Sequence, residues 1–176
     1  MAEKIRVLLT EQEVDAKIEE VAAKISRDYE GRNVHLICIL KGGAMFMCEL
    51  AKRLTVPVSF DFMSVSSYGG GTESTGIVRI NKDLDDSIEG KDVIIVEDII
   101  DTGKTLKALE EILLGRDPAS IRICTLLNKP SRRTEKEVKV DYVCFEIPNE
   151  FVVGYGLDYD QKYRNLPFIG VVDFEE

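Results

Sequence analysis

The chain has 176 residues, a length that suits one domain with a well-buried core and leaves little room for a second full domain. Its formal net charge is −9, which argues against a nucleic-acid-binding surface, since such a surface needs clustered Lys and Arg. The N-terminal stretch lacks the apolar core of a signal peptide, and no apolar run approaches the ~20 residues of a membrane span. We therefore expect a cytoplasmic protein with neither nucleic-acid nor membrane partners.

The cysteines and the only histidine give no sign of a metal centre or a nucleophile. Each cysteine lies among apolar neighbours without CxxC spacing, which predicts buried, reduced thiols at Cys38, Cys48, Cys124 and Cys144. His35 opens an apolar strand, and with no second histidine a Ser-His-Asp or Cys-His mechanism would have to centre on it. We interpret His35 as structural.

The first part of the chain predicts a helix followed by a strand-loop-helix unit. Thr10 and Glu13 form a capping box that begins the helix, and Gly31 is expected to end it. Val34 to Leu40 predicts a buried strand, which runs into Lys41-Gly42-Gly43 before a second helical pattern. Such a glycine-containing loop offers backbone N–H groups and one ammonium to an anion, but an ordinary tight turn explains the spacing equally well.

A glycine-rich stretch separates the next two predicted strands, Val58 to Val65 and Ile77 to Ile80. The residues between them, 66 to 76, include four glycines and no large aliphatic side chain, so they cannot pack a core of their own. This composition predicts a mobile loop over about residues 65–77. A plain hairpin linker is the alternative, but long loops in compact domains are often lids, which favours a functional role.

The strongest functional signal lies at residues 93 to 106. Val93 to Val96 predicts a strand buried in a parallel sheet, and Glu97 and Asp98 follow it directly. The loop Asp101-Thr102-Gly103-Lys104-Thr105 then precedes a helical pattern, so its chemistry sits at the carboxyl end of a strand, where α/β sheets bind ligands. A glycine, two hydroxyls and an ammonium suit a phosphate monoester, whereas three carboxylates need a cation or a polyhydroxyl ligand. A phosphorylated ribose with Mg²⁺ satisfies both requirements.

Two other interpretations of this stretch are weaker. The Gly103-Lys104-Thr105 ending is similar to a Walker A loop, but that motif needs a glycine five positions before Gly103, where this chain has Asp98. A solvated acidic turn after a core strand would leave the dense carboxylates unexplained. The stretch as a whole resembles the phosphoribosyl-pyrophosphate binding motif of the type I phosphoribosyltransferases.

The remainder of the chain extends this resemblance. Ile121 to Leu127 predicts a strand that ends at Lys129, and the charged residues 131–139 predict a surface connection without a nucleic-acid role. By pattern alone Lys129 is a solvated lysine, Phe151 a core residue and Asp158 a turn residue. The segment from Ile147 to Tyr159 is, however, similar to the base-binding segment of the hypoxanthine-guanine phosphoribosyltransferases, which reverses the assignments of Phe151 and Asp158.

The resemblance implies an α/β type I phosphoribosyltransferase fold: a central parallel sheet of about five strands flanked by helices, a small hood subdomain from the N- and C-terminal segments, and a mobile lid hairpin. It also implies a cis peptide before Lys41, a homodimer or homotetramer, and Mg²⁺ as cofactor. The implied site residues are Asp101 as catalytic base; Asp101, Thr102, Gly103, Lys104 and Thr105 at the 5′-phosphate; Glu97 and Asp98 at the ribose; Lys41, Gly42 and Arg164 at pyrophosphate; Lys129, Phe151 and Val152 at the purine; Ser66, Ser67 and Tyr68 in the lid; and Glu97, Asp98 and Asp158 at the metal.

The implied reaction is purine salvage, in which the 5-phosphoribosyl group moves from 5-phosphoribosyl-1-pyrophosphate to N9 of hypoxanthine or guanine. A xanthine or uracil phosphoribosyltransferase is a close alternative, because a lysine and an aromatic ring suit any flat base with a carbonyl. A regulator that senses phosphoribosyl-pyrophosphate and binds nucleic acid is the alternative from another class. The acidic balance and the presence of both Asp101 and Phe151 favour an enzyme.

Overall fold

The structure is a computed structural model that describes residues 3–67 and 77–174. Within these ranges it contains nine strands, three α-helices and one 3₁₀-helix. The strands are β1 (Glu3–Leu9), β2 (Val34–Ile39), β3 (Val58–Ser67), β4 (Val78–Lys82), β5 (Asp92–Ile100), β6 (Ser120–Asn128), β7 (Tyr142–Glu146), β8 (Val152–Val153) and β9 (Ile169–Phe174). The helices are α1 (Glu11–Asp28), α2 (Ala44–Arg53), α3 (Lys104–Leu114) and the 3₁₀-helix Pro130–Arg132.

The main sheet has six strands in the order β4-β3-β2-β5-β6-β7. Five of them are parallel, and β4 pairs antiparallel with β3, so the predicted parallel sheet of about five strands is confirmed with one antiparallel strand added. Every residue of β2 is buried, as expected for a strand covered on both faces. The chain leaves β2 towards β3 and later returns to the other side of β2 as β5, so the strand order reverses between β2 and β5. Open α/β sheets bind ligands at such a switch point.

Apolar side chains on the two faces of the sheet form two core clusters. One cluster joins α1 and α2 to the sheet, and the other joins α3 to the opposite face. The capping box at the start of α1 is confirmed: Thr10 Oγ1 accepts from Glu13 N–H at 3.2 Å, and Glu13 Oε2 accepts from Thr10 N–H at 2.8 Å. The helix ends at Asp28, earlier than expected, and Gly31 takes a left-handed φ of +76° in the following turn.

Strands from both chain ends form a second, antiparallel sheet in the order β1-β9-β8. Its residues Val152, Ile169 and Val171 pack into the same core cluster as α1 and α2. The number of domains stays a prediction. No helix in the described ranges is long and apolar enough to cross a membrane.

Three expectations about local structure were wrong. The strand β5 does not stop at Val96 but continues to Ile100. Glu97 and Asp98 therefore lie within the strand rather than in the loop. The strand β3 likewise continues through Ser66 and Ser67, which pair with β4 instead of entering the loop. Cys48 is exposed, because it lies on the outward face of α2, whereas the other three cysteines are buried.

Candidate active site

The loop between β5 and α3, residues 101–103, is held from one side by the segment that follows β6. We call that segment, residues 129–135, the strap. The bonds are Lys129 N–H to the Ile100 carbonyl (3.0 Å), Arg133 Nε to the Asp101 carbonyl (3.2 Å), and the Thr134 and Glu135 N–H groups to the Thr102 carbonyl (3.1 Å each). In a trans peptide the carbonyl and the next N–H point in opposite directions. The carbonyls of Ile100, Asp101 and Thr102 all face the strap. The N–H groups of residues 101–103 therefore face away from the strap.

Those N–H groups make the start of α3 a candidate anion-binding site. The backbone N–H groups of Asp101, Thr102 and Gly103 make no hydrogen bond within residues 3–67 and 77–174. Gly103 precedes α3 with φ +87°, a left-handed conformation that favours glycine. A cavity of about 240 Å³ borders this loop and is also lined by Glu97 and Thr105. Unpaired N–H groups at a helix N-terminus suit a phosphate.

Glu97 and Asp98 are consecutive residues at the end of β5, and both are partly buried. Burial raises the pKa of Glu97 well above its ordinary value, and the charge of Asp98 adds to the rise. Burial also raises the pKa of Asp98, although the N–H of Ile99, 2.7 Å from Asp98 Oδ1, and the charge of Arg164 oppose that rise. Ionising both carboxylates without a nearby cation is therefore costly.

The loop after β2 contacts Asp98 directly. It contains the expected cis peptide between Leu40 and Lys41. A Cβ placed on Gly42 would lie 1.8 Å from Asp98 Oδ2, and a Cβ on Gly156 would lie 2.1 Å from the Gly42 carbonyl oxygen. Glycines at both positions thus allow β5, the Lys41 loop and the C-terminal segment to meet.

Asp158 and Arg164 lie beside this meeting point. Arg164 donates from one terminal nitrogen to the Gly156 carbonyl at 2.8 Å, and its other terminal nitrogen lies 3.2 Å from Asp158 Oδ1. Both charges act on Asp98, where Arg164 lowers the pKa and Asp158 raises it. Two carboxylates and a guanidinium therefore share one electrostatic environment next to Gly42.

Lys129, Asp101 and Arg132 form a second charged group past the ends of β5 and β6. Lys129 is only 8% exposed, and burial lowers its pKa; the charge of Asp101 opposes this effect and that of Arg132 adds to it. Arg132 Nε donates to Asp101 Oδ1 at 3.0 Å. The lysine predicted to face a ligand carbonyl is thus close to the predicted base.

Aromatic side chains surround the start of β8. Phe151 is 50% exposed, and its ring contacts Tyr159 edge-on with 5.7 Å between centroids. Tyr159 contacts Phe174 in the same manner at 5.3 Å. Val152 is buried and pairs with Val171. Phe151 is therefore not a core residue, and half of its side chain remains available to a planar ligand.

The chain resembles known proteins over nearly its whole length. Residues 7–160 match the family profile described as the phosphoribosyl transferase domain. The chain belongs to the phosphoribosyltransferase family. A hypoxanthine-guanine phosphoribosyltransferase from Staphylococcus aureus is 54% identical over 166 residues, which are 94% of this chain and 92% of that relative. One from Streptococcus thermophilus is 49% identical over 170 residues, which are 97% and 94% of the two chains.

Solved structures of the same family agree with the fold. A crystal structure of a hypoxanthine phosphoribosyltransferase from Staphylococcus aureus matches with a TM-score of 0.92 and 53% sequence identity, covering 96% of this chain and 91% of that one. A hypoxanthine-guanine phosphoribosyltransferase from Bacillus anthracis also matches with a TM-score of 0.92, at 43% identity, over 98% of this chain and all of that one. The predicted type I phosphoribosyltransferase fold is confirmed.

The phosphoribosyltransferase site residues fall into separate groups in the described structure. Residues 101–105, which we call the phosphate loop, adjoin Glu97 and the charged group around Lys129. Asp98, Asp158 and Arg164 adjoin the Lys41 loop. Ser67 Oγ lies 3.5 Å from Thr105 Oγ1, which connects the end of β3 to the phosphate loop. Tyr68, the third predicted lid residue, lies outside the described residues.

The predicted magnesium ligands do not form a compact set. In the described part of the chain no group of three or more His, Cys, Asp and Glu side chains is arranged to hold a metal ion. No hydrogen bond, ion pair or ring contact joins Phe151 to Asp101 or Lys129 in the described ranges either. The role of each residue stays a prediction.

Three residues that contact the site of this phosphoribosyltransferase were missed by sequence reasoning. Arg132 and Arg133 lie in the charged stretch that was interpreted as a surface connection, yet both bind Asp101. Gly156 lies between the residues of the base-binding segment and was given no role, although its backbone touches Gly42. The one available signal was the Lys-Pro turn that follows β6, which brings the next residues back over the end of β5.

Proposed function

We propose that the protein transfers the 5-phosphoribosyl group from 5-phosphoribosyl-1-pyrophosphate to N9 of hypoxanthine, and of guanine, releasing pyrophosphate and the nucleoside monophosphate. The names of the relatives support this activity. The observation that carries it is the loop 101–103, whose carbonyls are bound by the strap and whose N–H groups line a cavity beside Glu97. The loop offers a candidate anion site, and Glu97 at the end of β5 offers a candidate diol ligand in the same cavity.

The phosphoribosyl end of the substrate would lie on this loop. Thr102 to Thr105 bind the 5′-phosphate through backbone N–H groups, two hydroxyls and the Lys104 ammonium. Glu97 and Asp98 accept from the ribose hydroxyls. The raised pKa values of these two carboxyls support that role, because ribose hydroxyls supply donors that burial otherwise removes.

The purine would lie between Asp101 and the aromatic group at β8. Asp101 accepts the proton from N7, a step worth typically ~10²- to 10⁴-fold in rate. Lys129 donates to the 6-oxo group, and its burial next to Asp101 is consistent with two adjacent positions of one base. Phe151 stacks on the ring, and the backbone at Val152 binds the edge of the base. Specificity between hypoxanthine, guanine and xanthine depends on groups around the purine 2-position.

The leaving pyrophosphate would lie on the Lys41 loop. Lys41 is exposed, and Gly42 allows the backbone to approach closely. Arg164 would leave Asp158 to bind the pyrophosphate. Ser66, Ser67 and Tyr68 are proposed to close over the reactants, since displacement at the sugar carbon gains from excluding water.

The carboxylates fit a magnesium ion. Asp98 and Asp158 repel each other in a partly buried place, and a divalent cation would relieve this repulsion. Mg²⁺ is usually bound by one or two carboxylates together with phosphates and water, so a compact three-carboxylate set is not required. Glu97, Asp98 and Asp158 are the candidate ligands. When bound, Mg²⁺ neutralises the charge that develops on the leaving pyrophosphate.

The proposal is tested by a spectrophotometric assay with phosphoribosyl-pyrophosphate and Mg²⁺, offering hypoxanthine, guanine, xanthine, adenine and uracil in parallel. We expect turnover of hypoxanthine and guanine that stops on adding EDTA. Turnover of xanthine or uracil alone would show that the substrate is that base and not hypoxanthine or guanine. Binding of phosphoribosyl-pyrophosphate without turnover of any base would favour the nucleic-acid-binding regulator. The proposed homodimer or homotetramer is tested by light scattering on the same sample.

The role of Asp101 is tested separately with Asp101→Asn. The amide keeps the shape of the side chain but cannot take a proton, so kcat should fall by ~10²- to 10⁴-fold while KM for both substrates changes little. An equal loss in kcat and in substrate affinity would show that Asp101 binds the purine rather than acting as the base.

A further inference from the structure

We propose that Arg132 is a positioning residue that orients the Asp101 carboxylate towards the purine. The inference rests on the proposed function, in which Asp101 is the general base. It concerns a residue of the strap that contacts Asp101 but does not line the cavity bordering the phosphate loop.

The backbone fixes the separation of the two side chains. Arg132 ends the 3₁₀-helix Pro130–Arg132, and its N–H donates to the Lys129 carbonyl at 3.1 Å. The strap binds the Ile100 carbonyl through Lys129 N–H, three residues before Arg132, and binds the loop 101–103 from Arg133 onwards. An isolated surface ion pair contributes little because both side chains must be ordered to form it. Here both backbone segments are already bound to each other, so less conformational freedom is lost.

Arg132 is the only residue in the described ranges that holds the Asp101 side chain by a hydrogen bond or ion pair. The contact joins Arg132 Nε to Oδ1 at 3.0 Å, and no such contact to Oδ2 occurs there. An aspartate side chain without partners samples several staggered rotamers, and only some of them would direct an oxygen at the base. Because Arg132 occupies one oxygen, it fixes the plane of the carboxylate and leaves Oδ2 to accept the N7 proton.

The exposure of both side chains indicates that the ion pair orients the Asp101 carboxylate rather than stabilising a buried charge. The side chains of Arg132 and Asp101 are 49% and 47% exposed. Solvent therefore screens their attraction, and the guanidinium does not neutralise the carboxylate as a buried partner would. The base remains available, and the contact acts mainly through geometry.

The experiment compares Arg132→Gln with Arg132→Lys, Asp101→Asn and the double variant Arg132→Gln/Asp101→Asn. Lys136→Gln is the matched control, because Lys136 is an exposed cation of the same connection without a contact to Asp101. Initial rates are measured with phosphoribosyl-pyrophosphate and hypoxanthine each varied. Circular dichroism and urea unfolding confirm that every variant folds.

We expect Arg132→Gln to lower kcat about tenfold, less than the ~10²- to 10⁴-fold that loss of the base itself costs. KM for phosphoribosyl-pyrophosphate should stay unchanged, Arg132→Lys should recover part of kcat, and Lys136→Gln should match the wild type. In the Asp101→Asn background, Arg132→Gln should have no further effect, because its partner is already inactive.

Two results would overturn the proposal. One is a wild-type kcat in Arg132→Gln; the other is an equal loss in kcat when Arg132→Gln is added to wild type and to Asp101→Asn. If Asp101→Asn itself retains wild-type kcat, the proposed function of Asp101 fails instead, and that outcome is distinct from a failure at Arg132 alone.

Discussion

Replacing Gly156 by alanine should damage the pyrophosphate side of the site more than the fold. Gly156 has φ +101°, and alanine in a left-handed conformation costs roughly 1–2 kcal/mol. The new Cβ would also lie 2.1 Å from the Gly42 carbonyl oxygen. Since Cβ contacts under 3.0 Å essentially do not occur, the two segments must separate by at least 0.9 Å, the difference between these distances.

That displacement falls on the loop proposed to bind pyrophosphate. A misplacement of ~1 Å in a reacting group can cost ~10²-fold in rate. We therefore expect Gly156→Ala to lower kcat/KM for phosphoribosyl-pyrophosphate by about two orders of magnitude. KM for hypoxanthine should change much less, because Phe151 and Lys129 lie away from the contact.

Gly90→Ala separates backbone strain from crowding. Gly90 also has a positive φ, +71°, but a Cβ there would meet nothing within 4 Å. Both variants should lose free energy of unfolding in urea denaturation, Gly90→Ala from backbone strain alone and Gly156→Ala from strain and crowding, while only Gly156→Ala loses activity. If the two variants have equal kcat/KM, the close approach of Gly156 to Gly42 does not hold the Lys41 loop in place, and the reasoning is refuted.

Two further predictions concern an aromatic ring and the histidine. Phe151→Ala should raise KM for the purine about 5- to 160-fold, since base stacking on an aromatic side chain is worth ~1–3 kcal/mol. Phe174→Ala, which removes another half-exposed ring of the same aromatic group, should not, and equal effects would contradict stacking by Phe151. Burial lowers the pKa of His35, and the charge of Lys91 adds to this, so the folded state favours the neutral ring. The free energy of unfolding should therefore fall as the pH drops below the unfolded-state pKa of about 6.5. His35→Gln should flatten this dependence in urea titrations at ~pH 5.5 and ~7.5, and an unchanged slope would show that His35 is not its source.

Much of the fold follows from local sequence patterns. The capping box of Thr10 and Glu13, the apolar run of β2 and the helical spacing after Gly103 each gave an element of the right type. These signals depend on residues close together in the chain, so they are visible without the tertiary structure. The phosphate loop could be predicted for the same reason, because all its proposed ligand groups lie within five consecutive residues.

The ends of strands were less predictable. Hydrophobicity reports burial, whereas the end of a strand is set by backbone pairing with its neighbours. Glu97 pairs with Thr125 of β6 although it is charged, and Ser66 and Ser67 pair with β4 although they are polar. Cys48 was misassigned for a related reason, since apolar neighbours in sequence do not say which face of α2 a side chain occupies.

The contacts that shape the site join segments that are distant in the sequence. The strap reaches the loop 101–103 through hydrogen bonds to consecutive carbonyls, and no local spacing within residues 129–135 specifies that register. Once β5 and β6 pair in parallel, however, their carboxyl ends must lie side by side, and the chain leaving β6 is the nearest source of donors for the carbonyls after Ile100. The same parallel pairing that buries the sheet therefore also turns the loop's N–H groups towards the proposed phosphate site and brings Arg132 to Asp101.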